Sequence, residues 1–149
     1  MWLDGAWSTP CFVQALDGPG KWNHVLLDFP GVYRLVALDG DGSMMPRVCK
    51  RLCGDDESGT LYVGQSAYLH GRVSLLVGST DPASPVQAYR KLPEILMRTF
   101  SVECLAVTWQ RSDSADLAWS REGDLLRNYV TTFGELPPLN GQGAGSVPD

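Results

Sequence analysis

Five polar side chains spread along this 149-residue chain are of types that together can break a phosphodiester bond: Tyr33, Tyr62, Arg72, Glu122 and Asn140. That reaction needs an activated water, a Lewis acid for the phosphoryl and leaving oxygens, and a cation for the charge that builds up. A carboxylate fixed on a helix suits a hard divalent ion such as Mg2+, with water and substrate phosphate completing the metal's shell. Arginine is a planar, permanently charged fork that matches phosphate. A phenol close to a metal and a cation can have its pKa lowered and act as a general base. Taken singly, each residue has a plainer reading: Tyr33 and Tyr62 as strand aromatics, Arg72 as a solvated helix arginine, and Glu122 as a surface carboxylate paired with Arg121 or Arg127.

Convergence of these groups depends on the elements that carry them. Residues 1–29 hold Trp2, Trp7, Phe12, Trp22 and Phe29 among turn formers and read as an irregular N-terminal extension that packs on the domain. After Pro30-Gly31, residues 32–38 read as a strand rich in β-branched and aromatic side chains. Residues 39–43 form a turn, 44–52 a short strand or coil, and 54–59 a second turn. Residues 60–63 read as the second strand. Ser66 can cap a helix running to about residue 77, with Leu69, Val73 and Leu76 on one stripe. Residues 80–85 are a loop. Residues 86–99 are helical, with Pro93 interrupting them or opening a second helix. Residues 102–110 alternate as a third strand. A last helix starts at Ser112 or Ser114 and stops at Gly134, with Leu117, Ala118, Arg121, Glu122, Leu125, Leu126 and Tyr129 on its face and edge. Residues 141–149 read as a flexible tail. The order predicts a small α/β or α+β domain over residues 30–140, a three-stranded, mainly antiparallel sheet flanked by helices.

Placed on these elements, the motifs resemble the GIY-YIG nuclease family. Gly31-Val32-Tyr33 is similar to the GIY triplet and Tyr62-Val63-Gly64 to the YIG triplet. Arg72, ten residues after Tyr62 on the following helix, stands where the family has its arginine, and Glu122, on the later helix, where it has its metal-binding glutamate. Asn140 closes a run from Phe133 that resembles the family's final segment. The resemblance implies an endonuclease that hydrolyses nucleic acid, DNA foremost, with Mg2+ or Mn2+. Glu122 would hold the metal and Arg72 would bind the scissile phosphate. One of Tyr33 and Tyr62 would activate water while the other positions it, and Asn140 would orient the site or support its edge. The connection between the triplets is longer than usual for the family, so residues 39–59 read as a hairpin insertion, which could reach substrate through Arg47, Lys50 and Arg51. Gln65 stands where several members have lysine, and His70, two residues before Arg72, could also reach the cleft. The alternative is a non-catalytic module that keeps the fold and binds nucleic acid or protein.

Bulk properties narrow the setting. The net charge of −5 gives no long-range attraction to nucleic acid. Residues 31–111 nevertheless carry nine basic against eight acidic side chains, whereas 112–149 carry two against six. A lone acidic domain without a DNA-reading module suggests a homodimer or a targeting partner protein. No apolar run is long enough to span a bilayer, and the start of the chain lacks a secretory pattern, so a cytoplasmic location with no membrane partner is expected. Cys11, Cys49, Cys53 and Cys104 read as free thiols, because the C-x3-C pair at Cys49 and Cys53 fits zinc spacing poorly. His24 reads as a residue of the N-terminal wrap. Asp55-Asp56-Glu57 reads as an exposed turn. Gly123 is costly inside a helix, which points either to a close backbone approach there or to a different phase of the helix.

Overall fold

A computed structural model describes residues 2–12, 29–39, 44–72 and 104–140. These residues form the strands β1 (Cys11–Phe12), β2 (Gly31–Ala37), β3 (Cys49–Arg51), β4 (Gly54–Asp56), β5 (Thr60–Ser66) and β6 (Leu105–Arg111), and the long helix α1 (Ala115–Phe133). The fold is α+β. Its main sheet is fully antiparallel in the order β1-β6-β2-β5, and β3 and β4 form a separate two-stranded hairpin. The sheet therefore has four strands, not three. The extra one comes from the N-terminal extension, where Cys11 and Phe12 pair with Val107 and Ala106. Composition hid this strand because its two residues follow Pro10. The expected helix over 86–99, the later part of 66–77, His24 and the 141–149 tail lie outside the described residues.

The β-branched run of β2 forms the centre of the sheet, and all seven of its residues are buried because both of its faces are covered. On one face Tyr33, Leu35 and Ala37 pack with Leu61, Leu69, Leu105, Val107 and Leu139. On the other, Val32 and Val63 meet Leu125, Leu126, Tyr129 and Phe133 of α1, with Trp2 closing the layer. The Trp2 ring stands edge-on to Tyr129, 4.7 Å between centroids. Alternation along β2 explains the division, since successive side chains leave opposite faces.

Helix α1 starts at Ser114, whose side chain accepts the Leu117 N–H, and ends at Gly134 in the left-handed conformation. Its buried stripe is Ala118, Leu125, Leu126, Tyr129 and Phe133. Leu117 was expected on that face but is exposed, because it lies about 130° round the helix from the centre of the buried stripe. Gly123 is not a close-packing site, since an added Cβ would meet only the flexible end of Arg127.

The described part of segment 39–59 joins the core at its later end. Residues 54–56 are a strand and not part of a turn, because Gly54 and Asp55 pair back onto Arg51 and Lys50. Asp56 is buried, against the expectation of an exposed turn. Its carboxylate accepts the Tyr129 hydroxyl (2.8 Å) and the Ser58 hydroxyl (2.6 Å) and N–H (2.8 Å). The relay continues from Ser58 to Thr60 (2.7 Å), which accepts Arg34 Nη1 (2.8 Å). Burial pulls the Arg34 guanidinium down to about 10, and the Asp56 charge works against that shift. Arg34 also lies over the Trp7 ring, 4.6 Å from its centroid. Burial, then the bond to Asp56, pushes the Tyr129 phenol far up, so it stays a protonated donor.

Two substitutions test this packing by urea denaturation. Gly123→Ala is expected to stabilise the protein by about 0.5–1 kcal/mol, because alanine loses less entropy in a helix and meets no rigid neighbour. Asp56→Ala is expected to cost on the order of 3 kcal/mol by stranding buried donors.

Candidate active site

Strand β5 lies at the edge of the sheet, with β2 on one side only. Its outer backbone groups would be an open template for pairing with another chain. They are satisfied from within: the Leu61 carbonyl accepts the Leu139 N–H (2.8 Å). The Asn140 side chain accepts from Val63 N and donates to Val63 O, each at 2.9 Å, as another strand would. One step further along the edge, the Gln65 backbone lies close enough to the Glu122 carboxylate to favour its ionised form. The backbone groups of Val63 and Gln65 point to the same side because the strand alternates, so Asn140 and Glu122 act at neighbouring outward positions, about 7 Å apart along the strand.

Arg72 joins them. After β5, Ser66 accepts the Tyr68 N–H (3.0 Å), and the Leu69 N–H donates to the Phe29 carbonyl (2.9 Å). Residues 69–72 are helical, starting three residues after the Ser66 cap expected from sequence. Leu69 is fully buried and fixes this turn, while Arg72 is exposed. The Arg72 charge acts on Glu122, and these two are the central pair of the candidate site.

The two phenols approach from the other face of the sheet. Tyr33 and Tyr62 lie with ring centroids 6.0 Å apart. The Tyr33 ring crosses from β2 over Gly64, and its Cζ and Oη lie 2.5 Å from where a Cβ on Gly64 would be. Any side chain at position 64 would displace that ring, which is the physical reason for glycine in the second triplet. Gly31 is equally confined, between the Gln110 carbonyl and the Leu69 side chain. Tyr33 is only 1% exposed and Tyr62 is half-buried, so Tyr62 is the more accessible phenol. Tyr33 covers Gly64, the residue next to Gln65, from the face of the sheet opposite α1.

Several expected contributors lie elsewhere. The β3–β4 hairpin packs at the C-terminal end of α1, where the Cys53 N–H donates to the Phe133 carbonyl (3.0 Å). That is roughly 16 Å along the helix from Glu122. Arg51 there pairs with Glu135 (3.2 Å) and donates to the Leu136 carbonyl. Arg47 holds the base of the insertion through Asp39 (4.0 Å), and Lys50 is exposed. These three do not join the Glu122–Arg72 group. His70 is half-buried and sits two residues before Arg72, hence on a different face of that turn. A cavity of about 350 Å³, lined in part by Gln110, Ser112, Ser120 and Arg121, lies on the opposite flank of α1 from β5.

The sequence showed Gln65 as a side chain, but its backbone acts on Glu122. Among the described residues no three His, Cys, Asp or Glu side chains gather as a metal cluster, and no helix is long and apolar enough to cross a membrane. All four cysteines are free thiols. No family model, curated protein or solved structure matches this chain.

Burial raises Glu122 above the ordinary glutamate range, and the Gln65 backbone and the Arg72 charge offset this only in part. A glutamate with a raised folded-state pKa binds its proton more tightly when folded. Stability therefore falls as pH rises from the unfolded pKa through the folded one, and the ionised form remains a cost above that window. Glu122→Gln keeps an oxygen for Gln65. It is expected to melt above the parent protein at neutral pH, with the gap narrowing as the medium becomes mildly acidic. A lower melting point for the variant at neutral pH would contradict this.

Proposed function

We propose that the chain is a GIY-YIG-type endonuclease that hydrolyses nucleic-acid phosphodiester bonds with a divalent metal. The observation that carries this reading is a partly buried carboxylate, Glu122, that feels the charge of Arg72 near the edge strand β5. Burial leaves Glu122 short of positive charge, which is the condition a bound cation relieves. Its hard oxygens fit Mg2+ or Mn2+, with water and phosphate completing the coordination. When bound, such an ion would supply Lewis acidity to the scissile phosphate.

The chain's own residues do the rest. The Gln65 backbone favours the ionised Glu122 carboxylate. Arg72, exposed beside it, binds the phosphate and offsets the negative charge that grows on its oxygens. Tyr62 takes the proton of the attacking water, because it is the more accessible phenol. Tyr33, closed over Gly64, holds Tyr62 in place through their ring contact. Asn140 keeps the β5 edge from fraying and so fixes the level of Gln65.

Incubation of the purified protein with single- and double-stranded DNA and RNA, in Mg2+, Mn2+ or EDTA, tests this. Metal-dependent cutting is expected. Arg72→Ala should slow it on the order of a hundredfold or more, and Glu122→Gln should abolish it. Undiminished cutting in either variant would refute the assignment.

A further inference from the structure

Two large aromatic side chains stand open to solvent on the two elements that carry Arg72 and Glu122. Tyr68 is 63% exposed and Trp119 is 68% exposed. Tyr68 begins the turn that carries Arg72, and its carbonyl accepts the Arg72 N–H (3.1 Å). Residues four apart on a helix share a face, so Tyr68 lies beside Arg72. Trp119 is three residues before Glu122 and shares its side of α1 in the same way.

The phase of α1 says which flank Trp119 occupies. At about 100° per residue, Trp119 lies roughly 60° round the helix from Glu122, and Arg121 roughly 100° in the other sense. Arg121 reaches the β6 side, where its Nε donates to Gln110 Oε1 (3.0 Å) and its Nη2 pairs with Asp4. Since β2 separates β6 from β5, Trp119 is on the β5 flank, the side from which Tyr68 and Arg72 continue. The two rings therefore border the same pair of charged groups from two elements.

We infer that Tyr68 and Trp119 are stacking platforms for nucleobases flanking the scissile phosphate, and that the substrate is single-stranded or locally unpaired nucleic acid. Bases inside a duplex stack on each other and offer no face to a side chain, whereas unpaired bases stack on aromatic rings with little regard to sequence. The charge of the chain favours this chemistry. A net charge of −5 weakens long-range attraction to single strand and duplex alike, so contacts that do not depend on charge carry more of the binding. Stacking supplies affinity that salt does not screen. The inference rests on the proposed site only for the position of the phosphate, because base stacking itself requires no cleavage.

Binding of a fluorescein-labelled oligothymidylate, and of a duplex of equal length, is followed by anisotropy with the full chain in EDTA, so that no strand is cut. The single strand is expected to bind more tightly than the duplex. Trp119→Ala and Tyr68→Ala should each weaken it about tenfold, with little change in the slope of affinity against salt. Arg72→Ala should make that slope shallower. Leu117→Ala removes an equally exposed side chain from the opposite flank of α1 and should leave binding unchanged; thermal melts confirm that each variant is folded. Tighter duplex binding, no single-strand binding, or full affinity without both rings would overturn the inference. Ring-dependent binding with no cleavage in any metal would sustain it while refuting the nuclease reading. Cleavage indifferent to both rings would do the reverse.

Discussion

The carboxylate of Asp56 holds the two halves of this fold in register. It lies on the inserted hairpin, receives Tyr129 from α1, and is linked through Ser58 and Thr60 to Arg34 on the central strand. A buried charge of this kind adds little net stability, but every group bonded to it becomes expensive to move. Tyr129 is two turns along the same stripe as Glu122, so the bond that fixes the rotation of α1 at Tyr129 also fixes it at Glu122. At the other end, Arg121 ties the helix to Gln110 and Asp4. With both ends held, the helix has little freedom to roll, and the Glu122 carboxylate stays at the edge of β5. The insertion thus acts on the candidate site from a distance, by positioning the helix that carries its acid.

The edge of β5 serves two purposes. Its outward backbone groups need partners, or the sheet would recruit another chain. Leu139 and Asn140 meet that need in succession. Glu122, near the Gln65 backbone, brings a formal charge to a partly buried place, where the neutral form would be easier to keep. A residue that costs stability when ionised yet sits beside an arginine is the trade expected where a site needs charge for chemistry. Asn140 achieves the same backbone satisfaction without charge, which places it on the structural side of that trade.

Exposed aromatic side chains and a negative net charge become coherent when taken together. An acidic surface weakens attraction to any polyanion at long range, and a single guanidinium acts only once a strand has arrived. Tyr68 and Trp119 offer contact area beside that guanidinium that does not depend on charge. The basic hairpin residues Arg47 and Arg51, by contrast, are engaged with Asp39 and Glu135, and they hold the insertion to the domain.

By itself the sequence determined what depends on neighbours along the chain. The β-branched strand, read at 32–38, and a last helix starting at Ser112 or Ser114 and stopping at Gly134 were legible because local sterics and end groups set them. The spacing of Tyr33, Tyr62, Arg72, Glu122 and Asn140 was legible as a pattern of residue types, and it placed Glu122 and Arg72 on separate elements that could meet. Only the tertiary structure decided the rest, because it depends on groups far apart in sequence. Asp56 reads as a turn residue until Tyr129, 73 positions later, buries it. The fourth strand exists because β6 offers an edge to Cys11 and Phe12. Gln65 was weighed by its side chain, although its backbone acts on Glu122. Gly64 looked like a motif letter until the Tyr33 ring was seen to need its missing Cβ. A one-dimensional pattern carries propensity and period; which polar groups lose water together is settled only when the chain closes on itself.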